Sequence, residues 1–336
     1  MKDFAARIAV VTGGGTGMGR ELVRQLIAEG CHVATCDVSA AALEKTKQLC
    51  TASGLPQGIR LTTHLADVSD AAQVERFRAE VASQHATDHI HLLFNNAGIG
   101  GGGSFVTDNR EQWEKTFNVC WGGVYNCARA FMPMLVKADA GHIVNTSSVN
   151  GFWASIGPGL PHSAYSAAKF AVKGFSEALI TDLRNTAPHV KVSVVMPGHI
   201  GTQIAANSRK LHTGNDSETL TAPEIVRARA RMAVINPAAS GLPDAEIQRL
   251  SVERERSFEA DAPMTAAQAA TVILDGVKAD RWRILVGKDA ELLDARVRQN
   301  PEAAYEPEFF QQFATDAGWR LGGPPTQAGA KSEKPN

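Results

Sequence analysis

The chain has 336 residues, of which 44% are hydrophobic and 21% are charged, and its formal net charge at pH 7 is −1. These values are those of an ordinary globular protein, and the balanced charge argues against nucleic acid as a partner. The longest early apolar run, residues 8–11, is too short for a secretory leader or a membrane span. We therefore expect a cytoplasmic protein with no membrane association.

Short β-branched runs alternate with longer helical patterns over residues 1–202, which is typical of a parallel sheet covered by helices. The predicted strands cover residues 7–13, 32–37, 59–67, 91–98, 141–148 and 190–198, and a last strand covers 283–287. The expected fold class is therefore α/β.

The segment "TGGGTGMG", Thr12 to Gly19, lies between the first predicted strand and the first helix. Glycines let the backbone approach a diphosphate closely, and the free N–H groups and dipole at a helix start attract its charge. The segment therefore predicts a nucleotide-binding loop.

The second predicted strand ends in Asp37, 18 residues beyond Gly19. A carboxylate at this position accepts hydrogen bonds from the adenosine ribose hydroxyls and repels a 2′-phosphate, which favours NAD over NADP. The alternative is that Asp37 caps the next helix, but Ser39 can serve that role.

From residue 6 to about residue 202, the chain resembles the short-chain dehydrogenase/reductase family. Its glycine loop has the spacing T-G-x-x-x-G-x-G, which is similar to that family's version. Five further motifs follow in the family's order: "DV" at 67–68, "NNAG" at 95–98, "FNV" at 117–119, "SS" at 147–148 with "YSAAK" at 165–169, and "PGHIGT" at 197–202. The resemblance implies a Rossmann-type doubly wound parallel sheet with helices on both faces.

The resemblance also implies the site residues. The catalytic set is Asn118, Ser148, Tyr165 and Lys169, with Ser148 preferred to Ser147 because family members usually place the active serine three residues before a glycine, here Gly151. Thr16 occupies a loop site where NADP-preferring relatives often carry a basic residue, so no cation is expected to offset the repulsion by Asp37. The implied NAD-binding residues are Thr12, Gly13, Gly15, Gly17, Met18, Gly19, Asp37, Asp67, Val68, Asn95, Ala97, Gly98, Tyr165, Lys169, Pro197, Gly198, Ile200 and Thr202.

Tyr165 is the expected general acid and base. An ordinary tyrosine has a pKa of about 10, and a positive charge at about 4 Å supplies the ~4 kcal/mol that lowers it to near 7. Lys169, on the same helix face, would be that charge, together with the nicotinamide ring of NAD⁺. Lys169 would also hold the nicotinamide ribose. By resemblance, Ser148 would bind the substrate oxygen and Asn118 would support a water chain.

Ser148 and Tyr165 are 17 residues apart, more than is common in the family. The added loop, residues 151–164, is expected to shape the substrate mouth, with Phe152 and Trp153 as candidate lining. The alternative is that these aromatic side chains cover the edge of the sheet.

Beyond residue 202, the chain is longer than in short family members. We expect a helical substrate lid at 203–262, a last helix, last strand and C-terminal extension at 263–320, and a disordered tail at 321–336. The segments "TAPE", from Thr221 to Glu224, and "TAAQ", from Thr265 to Gln268, are predicted capping boxes that start helices.

Five cysteines and a cluster of His85, His89 and His91 show no spacing typical of a metal site, so no metal is expected. The cysteines are expected to be reduced residues of the core.

The expected function is NAD-dependent interconversion of a secondary alcohol and a ketone. The large lid favours a bulky substrate, and aromatic and steroid-like alcohols both fit. One alternative is a non-catalytic NAD-binding regulatory protein, and another is a serine hydrolase, although no G-x-S-x-G segment is present. The resemblance implies a homodimer or homotetramer.

Overall fold

The seven strands predicted from the sequence are all present in the computed structural model, which describes residues 1–52, 54–157 and 160–319. Most of them are shorter than predicted. Two further short strands pair with each other in a separate sheet. The strands are β1 (Ile8–Thr12), β2 (His32–Asp37), β3 (Leu61–Leu65), β4 (Leu92–Asn95), β5 (Gly141–Thr146), β6 (Val190–Pro197), β7 (Ile200–Gly201), β8 (Met264–Thr265) and β9 (Arg283–Val286).

Helices follow most strands. They are α1 (Gly17–Ala28), α2 (Ala40–Ala52), α3 (Ala71–Gln84), α4 (Arg110–Phe117), α5 (Gly123–Lys137), α6 (Ser163–Thr186), α7 (Ile204–Thr213), α8 (Ala222–Ile235), α9 (Asp244–Ala260), α10 (Ala266–Lys278), α11 (Lys288–Gln299) and α12 (Pro307–Ala317). A π-helical turn, Asn118–Gly122, joins α4 to α5. Both predicted capping boxes form, at the starts of α8 and α10.

The sheet is parallel throughout, in the order β3-β2-β1-β4-β5-β6-β9. Successive residues of a strand point to opposite faces, so Val10 and Val11 belong to different cores. Val11 packs with residues of α1 and α10, such as Leu26 and Ile273. Val10 packs with residues of α3, α5 and α6, such as Phe131. Helices thus cover both faces, and the predicted doubly wound Rossmann-type fold is confirmed.

The strand order changes direction between β1 and β4, because the chain runs outward to β3 and then returns to β4. In open parallel sheets, ligands bind beyond the carboxyl ends of the strands at such a reversal. The glycine loop follows β1, and "NNAG" ends at the same edge after β4. The fold therefore brings these two motifs together.

Helices α7, α8 and α9 lie within the segment expected to form a lid. Helices α11 and α12 follow the last strand, and the expected tail at 321–336 lies outside the described residues. Among the described helices, none combines the length and apolarity needed to cross a bilayer.

Trp153, in the 151–164 loop, does not line a substrate mouth, contrary to the expectation. Trp153 is 1% exposed and packs against Phe309, Phe310 and Phe313 of α12. Its indole N–H donates to the Ala304 carbonyl at 2.6 Å. Phe152 joins the same cluster. Trp153 therefore anchors the C-terminal extension and is too buried to line a substrate mouth. Phe152 is partly exposed, so its lining role stays a prediction.

All five cysteines are buried and free of disulfides, as expected. The three clustered histidines have separate protein partners: His85 contacts the Thr62 hydroxyl, His89 the Thr87 hydroxyl and Asp88, and His91 the Ile8 N–H. The described residues contain no group of three side chains placed to hold a metal ion.

Candidate active site

Two glycines of the glycine loop lie so close to neighbouring backbone that a side chain at either position would not fit. A Cβ on Gly13, whose φ is +68°, would lie 2.9 Å from the Ala97 Cα, and a Cβ on Gly19 would collide with the Gly13 carbonyl oxygen. The loop enters α1 directly, so its N–H groups lie at the positive end of a helix dipole. This backbone arrangement fits the diphosphate of a dinucleotide.

Thr12 has a structural position in this loop. Its hydroxyl accepts hydrogen bonds from the Asn96 and Ala97 N–H groups, both at 3.0 Å, and donates to the Phe94 carbonyl at 3.3 Å. The hydroxyl is therefore engaged by the segment that follows β4. Thr12 joins the two motifs at the reversal and has no free side-chain group for a cofactor.

Asp37 ends β2 with its carboxylate beside the glycine loop. It accepts hydrogen bonds from the N–H groups of Gly15 and Ser39, each at 3.0 Å. The Ser39 hydroxyl accepts from the Ala42 N–H in the first turn of α2, so Ser39 caps that helix, as predicted. Burial raises the pKa of Asp37, while these backbone hydrogen bonds act to lower it.

A cation does lie near Asp37, which corrects the expectation drawn from Thr16. The Arg20 guanidinium acts to lower the pKa of Asp37. However, its donors are bound to the Gly15 carbonyl and, at 3.1 Å, to the Thr46 hydroxyl. Arg20 therefore holds the loop in place, and its charge is partly compensated there.

The other predicted cofactor residues lie at the same edge of the sheet, with different local functions. Some are placed by their hydrogen bonds: the Asn95 side chain donates to Asn145 at 2.8 Å, and the Asp67 carboxylate accepts from Ser69 at 2.7 and 2.9 Å. Others are placed by packing: Met18 lies against the core, Val68 against Gly123, and Thr202 against Gly17. Gly98 faces Lys169, Pro197 ends β6, Gly198 follows it, and Ile200 lies in β7.

Ser148, Tyr165 and Lys169 come together where β5 ends and α6 begins. The Ser148 hydroxyl interacts with the Tyr165 phenol and acts to lower its pKa. The Lys169 ammonium donates to the Thr146 carbonyl at 2.8 Å and lies 5.3 Å from the centre of the Tyr165 ring. The Ser147 hydroxyl is engaged elsewhere, because it donates to the Lys169 carbonyl at 2.7 Å. The choice of Ser148 over Ser147 therefore agrees with the geometry.

Burial opposes charge on both members of the Tyr165 and Lys169 pair. Burial raises the pKa of Tyr165 above its ordinary value and lowers the pKa of Lys169. Tyr165 is only partly buried by its accessible surface, whereas Lys169 is 3% exposed. The lowering of the Tyr165 pKa by Lys169 and by the nicotinamide ring stays a prediction.

Asn118 is exposed at the start of the π-helical turn, and the hydrogen bonds of its main chain are those of the helix. Its place in the catalytic set stays a prediction. Cys120, two residues later, is fully buried beside Tyr165. Its thiol contacts the Ile99 main chain, donating to the carbonyl at 3.1 Å and accepting from the N–H at 3.4 Å. The π-helical turn shifts which side of the helix faces the site, and no local sequence pattern indicates that shift.

His162 is a second residue that the sequence analysis missed. It precedes α6, and its ring lies 4.7 Å from the Tyr165 ring, centre to centre, at an angle of 36°. Burial lowers the pKa of His162 to about 4, so its imidazole is neutral at neutral pH. The position three residues before Tyr165 was the available signal, because side chains at this spacing meet at a helix start.

Helix α7 covers the site from the lid side. The Asn207 side chain donates to the Thr16 hydroxyl at 3.2 Å, and the Ser208 hydroxyl accepts from the Gly100 N–H at 2.8 Å. The His212 ring bonds the Gly100 carbonyl at 2.9 Å. Helix α7, in the segment expected to form a lid, therefore contacts both the glycine loop and the segment after β4.

Comparison with known proteins shows that similar sequences belong to one family of oxidoreductases. A family model described as short chain dehydrogenase matches residues 7–212. A protein named as an oxidoreductase, SadH, from Mycobacterium tuberculosis is 36% identical over 219 residues, which is 65% of this chain and 75% of SadH. The meso-2,3-butanediol dehydrogenase of Serratia marcescens is 33% identical over 201 residues, 60% of this chain and 74% of that enzyme.

Solved structures with the same fold hold either cofactor. A short chain dehydrogenase/reductase from Burkholderia phymatum in complex with NAD superposes with a TM-score of 0.69 at 30% identity, covering 89% of this chain and 95% of that chain. A metagenomic short-chain oxidoreductase in complex with NADP has a TM-score of 0.52 at 28% identity, covering 64% and 94%.

Proposed function

The chain belongs to the short-chain dehydrogenase family of oxidoreductases, and we propose that it interconverts a secondary alcohol and a ketone with NAD as cofactor and Tyr165 as general acid and base. The observation that carries the proposal is the convergence of Ser148, Tyr165 and Lys169. They lie at the same edge of the sheet as the glycine loop, in which Gly13 and Gly19 have no room for a side chain.

In the oxidation direction, the Tyr165 phenolate oxygen takes the proton of the substrate hydroxyl. The Ser148 hydroxyl donates a hydrogen bond to the same substrate oxygen and holds it beside Tyr165. Bound NAD⁺ would accept the hydride from the carbinol carbon. Lys169 stabilises the phenolate by its charge, and its hydrogen bond to the Thr146 carbonyl fixes the position of the ammonium group. In the reduction direction, Tyr165 returns the proton to the ketone oxygen.

The preference for NAD rests on Asp37. Its carboxylate is held at the end of β2 by two N–H donors, where the ribose of a bound dinucleotide would lie. A 2′-phosphate at that place would meet the negative charge. The Burkholderia phymatum structure holds NAD and the metagenomic one holds NADP, so the argument for this chain depends on its own Asp37.

The substrate is proposed to be a bulky secondary alcohol. The name of the Serratia marcescens relative refers to a diol whose hydroxyls are secondary, which supports the reaction class. The segment 203–262 carries three helices, and α7 lies over the site. A lid of this size favours a large or extended molecule, such as an aromatic or steroid-like alcohol.

Replacing Tyr165 by phenylalanine tests the mechanism directly. Phenylalanine keeps the ring beside His162 and removes only the hydroxyl. We expect NAD-linked turnover to fall by about 10²–10⁴-fold or more, while the dissociation constant for NADH, measured by fluorescence titration, stays nearly unchanged. Tyr125→Phe is the matched control, because Tyr125 is an exposed tyrosine on α5.

Turnover retained in Tyr165→Phe would overturn the proposed mechanism. A wild-type chain that binds NADH tightly but oxidises no member of a broad secondary-alcohol panel would instead favour the non-catalytic regulatory alternative.

A further inference from the structure

The turn at residues 197–202 carries four residues expected to bind NAD, namely Pro197, Gly198, Ile200 and Thr202, and it is held by residues far along the chain. The Gly198 N–H donates to the Val286 carbonyl at 3.0 Å. The His199 N–H donates to Asp289 Oδ2 at 2.7 Å, and the His199 ring bonds the Phe258 carbonyl at 2.7 Å. A carbonyl can only accept, so His199 Nε2 carries the proton. The lid and the C-terminal extension therefore position this turn.

Asp289, in the first turn of α11, is the central contact. It is 4% exposed, and it fits against the turn because residue 198 is glycine: a Cβ there would collide with the carboxylate. The same oxygen that accepts from the His199 N–H also accepts from the Trp319 indole N–H, at 2.8 Å. The second oxygen has no hydrogen-bond partner among the described residues. The position of the carboxylate thus depends on two donors, one from the turn and one from Trp319.

Trp319 ends a segment that we call the C-terminal clasp, residues 303–319. Its ring packs edge-on against Phe313, 4.8 Å between centres, and lies 6.3 Å from the His199 ring. Farther back, the clasp packs on Trp153, which lies in the loop between Ser148 and Tyr165. One segment therefore contacts both the turn after β6 and the loop after Ser148.

We propose that Trp319 and Asp289 are positioning residues for the cofactor, acting through the main chain of His199. The indole N–H holds the carboxylate in the place where it accepts from the turn. Loss of that N–H leaves a buried carboxylate short of donors, and the carboxylate and turn then shift or loosen. A turn that is not held before binding must be ordered by the cofactor, which weakens the affinity. This inference rests on the proposed function of the site.

The test is NADH binding by the full chain carrying Trp319→Phe, which removes the N–H and keeps most of the ring. We expect the NADH dissociation constant to rise about three- to tenfold, the size of effect that loss of one ordinary hydrogen bond produces, because the lost bond acts on the cofactor only through the turn. The turnover number at saturating cofactor is expected to change less. Trp282→Phe is the matched control, since Trp282 is 46% exposed and its contact with β6 is through the backbone carbonyl.

Asp289→Asn provides a second arm, which also serves if Trp319→Phe does not stay folded. Asparagine keeps an oxygen that can accept from His199 but weakens both bonds, so NADH affinity should again fall. Because both changes act on one contact, the double variant should bind NADH no more weakly than the poorer single variant.

Equal NADH affinity in wild type, Trp319→Phe and Asp289→Asn would overturn the inference, as would a loss of thermal stability with no loss of affinity. Failure of the wild type itself to bind NADH would count against the proposed function instead, so the two failures are distinguishable.

Discussion

Burial raises the pKa of Tyr165 and lowers the pKa of Lys169, so it disfavours the charged form of each side chain. The motif spacing predicted their shared helix face, and the structure agrees, with Lys169 close to the Tyr165 ring. What the spacing did not reveal is that burial opposes charge on both side chains. The positive nicotinamide ring of NAD⁺ remains the second charge expected beside Tyr165.

The pH dependence of the two reaction directions follows from the raised pKa of Tyr165. Oxidation needs the phenolate, so its rate should increase between about pH 6 and about pH 9. Reduction needs the protonated phenol, so its rate should stay level or fall over the same range. Initial rates with an alcohol and its ketone, measured on one enzyme preparation, check this. An oxidation rate that falls with rising pH would contradict the assignment of Tyr165 as the base.

Replacing Asp37 by alanine should weaken the discrimination between NAD and NADP. Loss of the carboxylate removes acceptors for the ribose and the repulsion of a 2′-phosphate, so we expect the ratio of kcat/KM for NAD over NADP to fall about tenfold or more. Parallel kinetics with both cofactors measure this ratio.

Ser39→Ala is the control for that experiment, because it removes the cap of α2 and leaves the carboxylate in place. The control should lose about 1 kcal/mol of stability and keep its cofactor ratio. An Asp37→Ala protein with an unchanged ratio would mean that another group, such as the compensated Arg20, determines the preference.

At the scale of elements, the loop between Ser148 and Tyr165 shows how far the sequence could be interpreted. The insertion was evident from the motif spacing, and so was its freedom to bulge without moving either residue. The packing of Trp153 was not predicted because its partners, Ala304 and residues of α12, are more than 150 residues away. Local pattern gives no information about such a contact, and an aromatic residue near an active site fits a lining or a packing role equally well.

Trp153→Ala tests the packing role. Removal of this indole creates a large cavity, so the free energy of unfolding should fall by about 3–5 kcal/mol, measured by denaturant titration. Trp282→Ala, at an exposed site, should cost far less. If folded Trp153→Ala protein keeps wild-type stability but shows a greatly raised KM for the alcohol, the substrate-lining hypothesis would be restored.

At the scale of the whole molecule, the fold was predictable because its rules are local and repetitive. Alternating strands and helices indicate a parallel sheet, and the glycine loop marks the strand where the order reverses. The place of Asp37 at the end of β2 also follows from that frame. Cys120 packs beside Tyr165 from a π-helical turn, and no pattern in the segment indicates that contact. Similarly, the clasp depends on tertiary packing alone.

Association into a homodimer or homotetramer stays a prediction. Helices α5 and α6 carry exposed apolar residues, including Tyr125 and Phe170, at 47% and 42% exposure, which is consistent with such a contact. The division into a core at 1–202, a lid at 203–262 and an extension at 263–320 likewise remains a prediction.

Hydride transfer from a labelled substrate tests the central claim most directly. Secondary alcohols carrying deuterium on the carbinol carbon would be incubated with NAD⁺ and the full chain. The mass of the reduced cofactor would then be measured by mass spectrometry. Reduced cofactor that contains the deuterium, formed by wild type and not by Tyr165→Phe, is the predicted result. Reduced cofactor without the label, or equal labelling in the variant, would contradict the account.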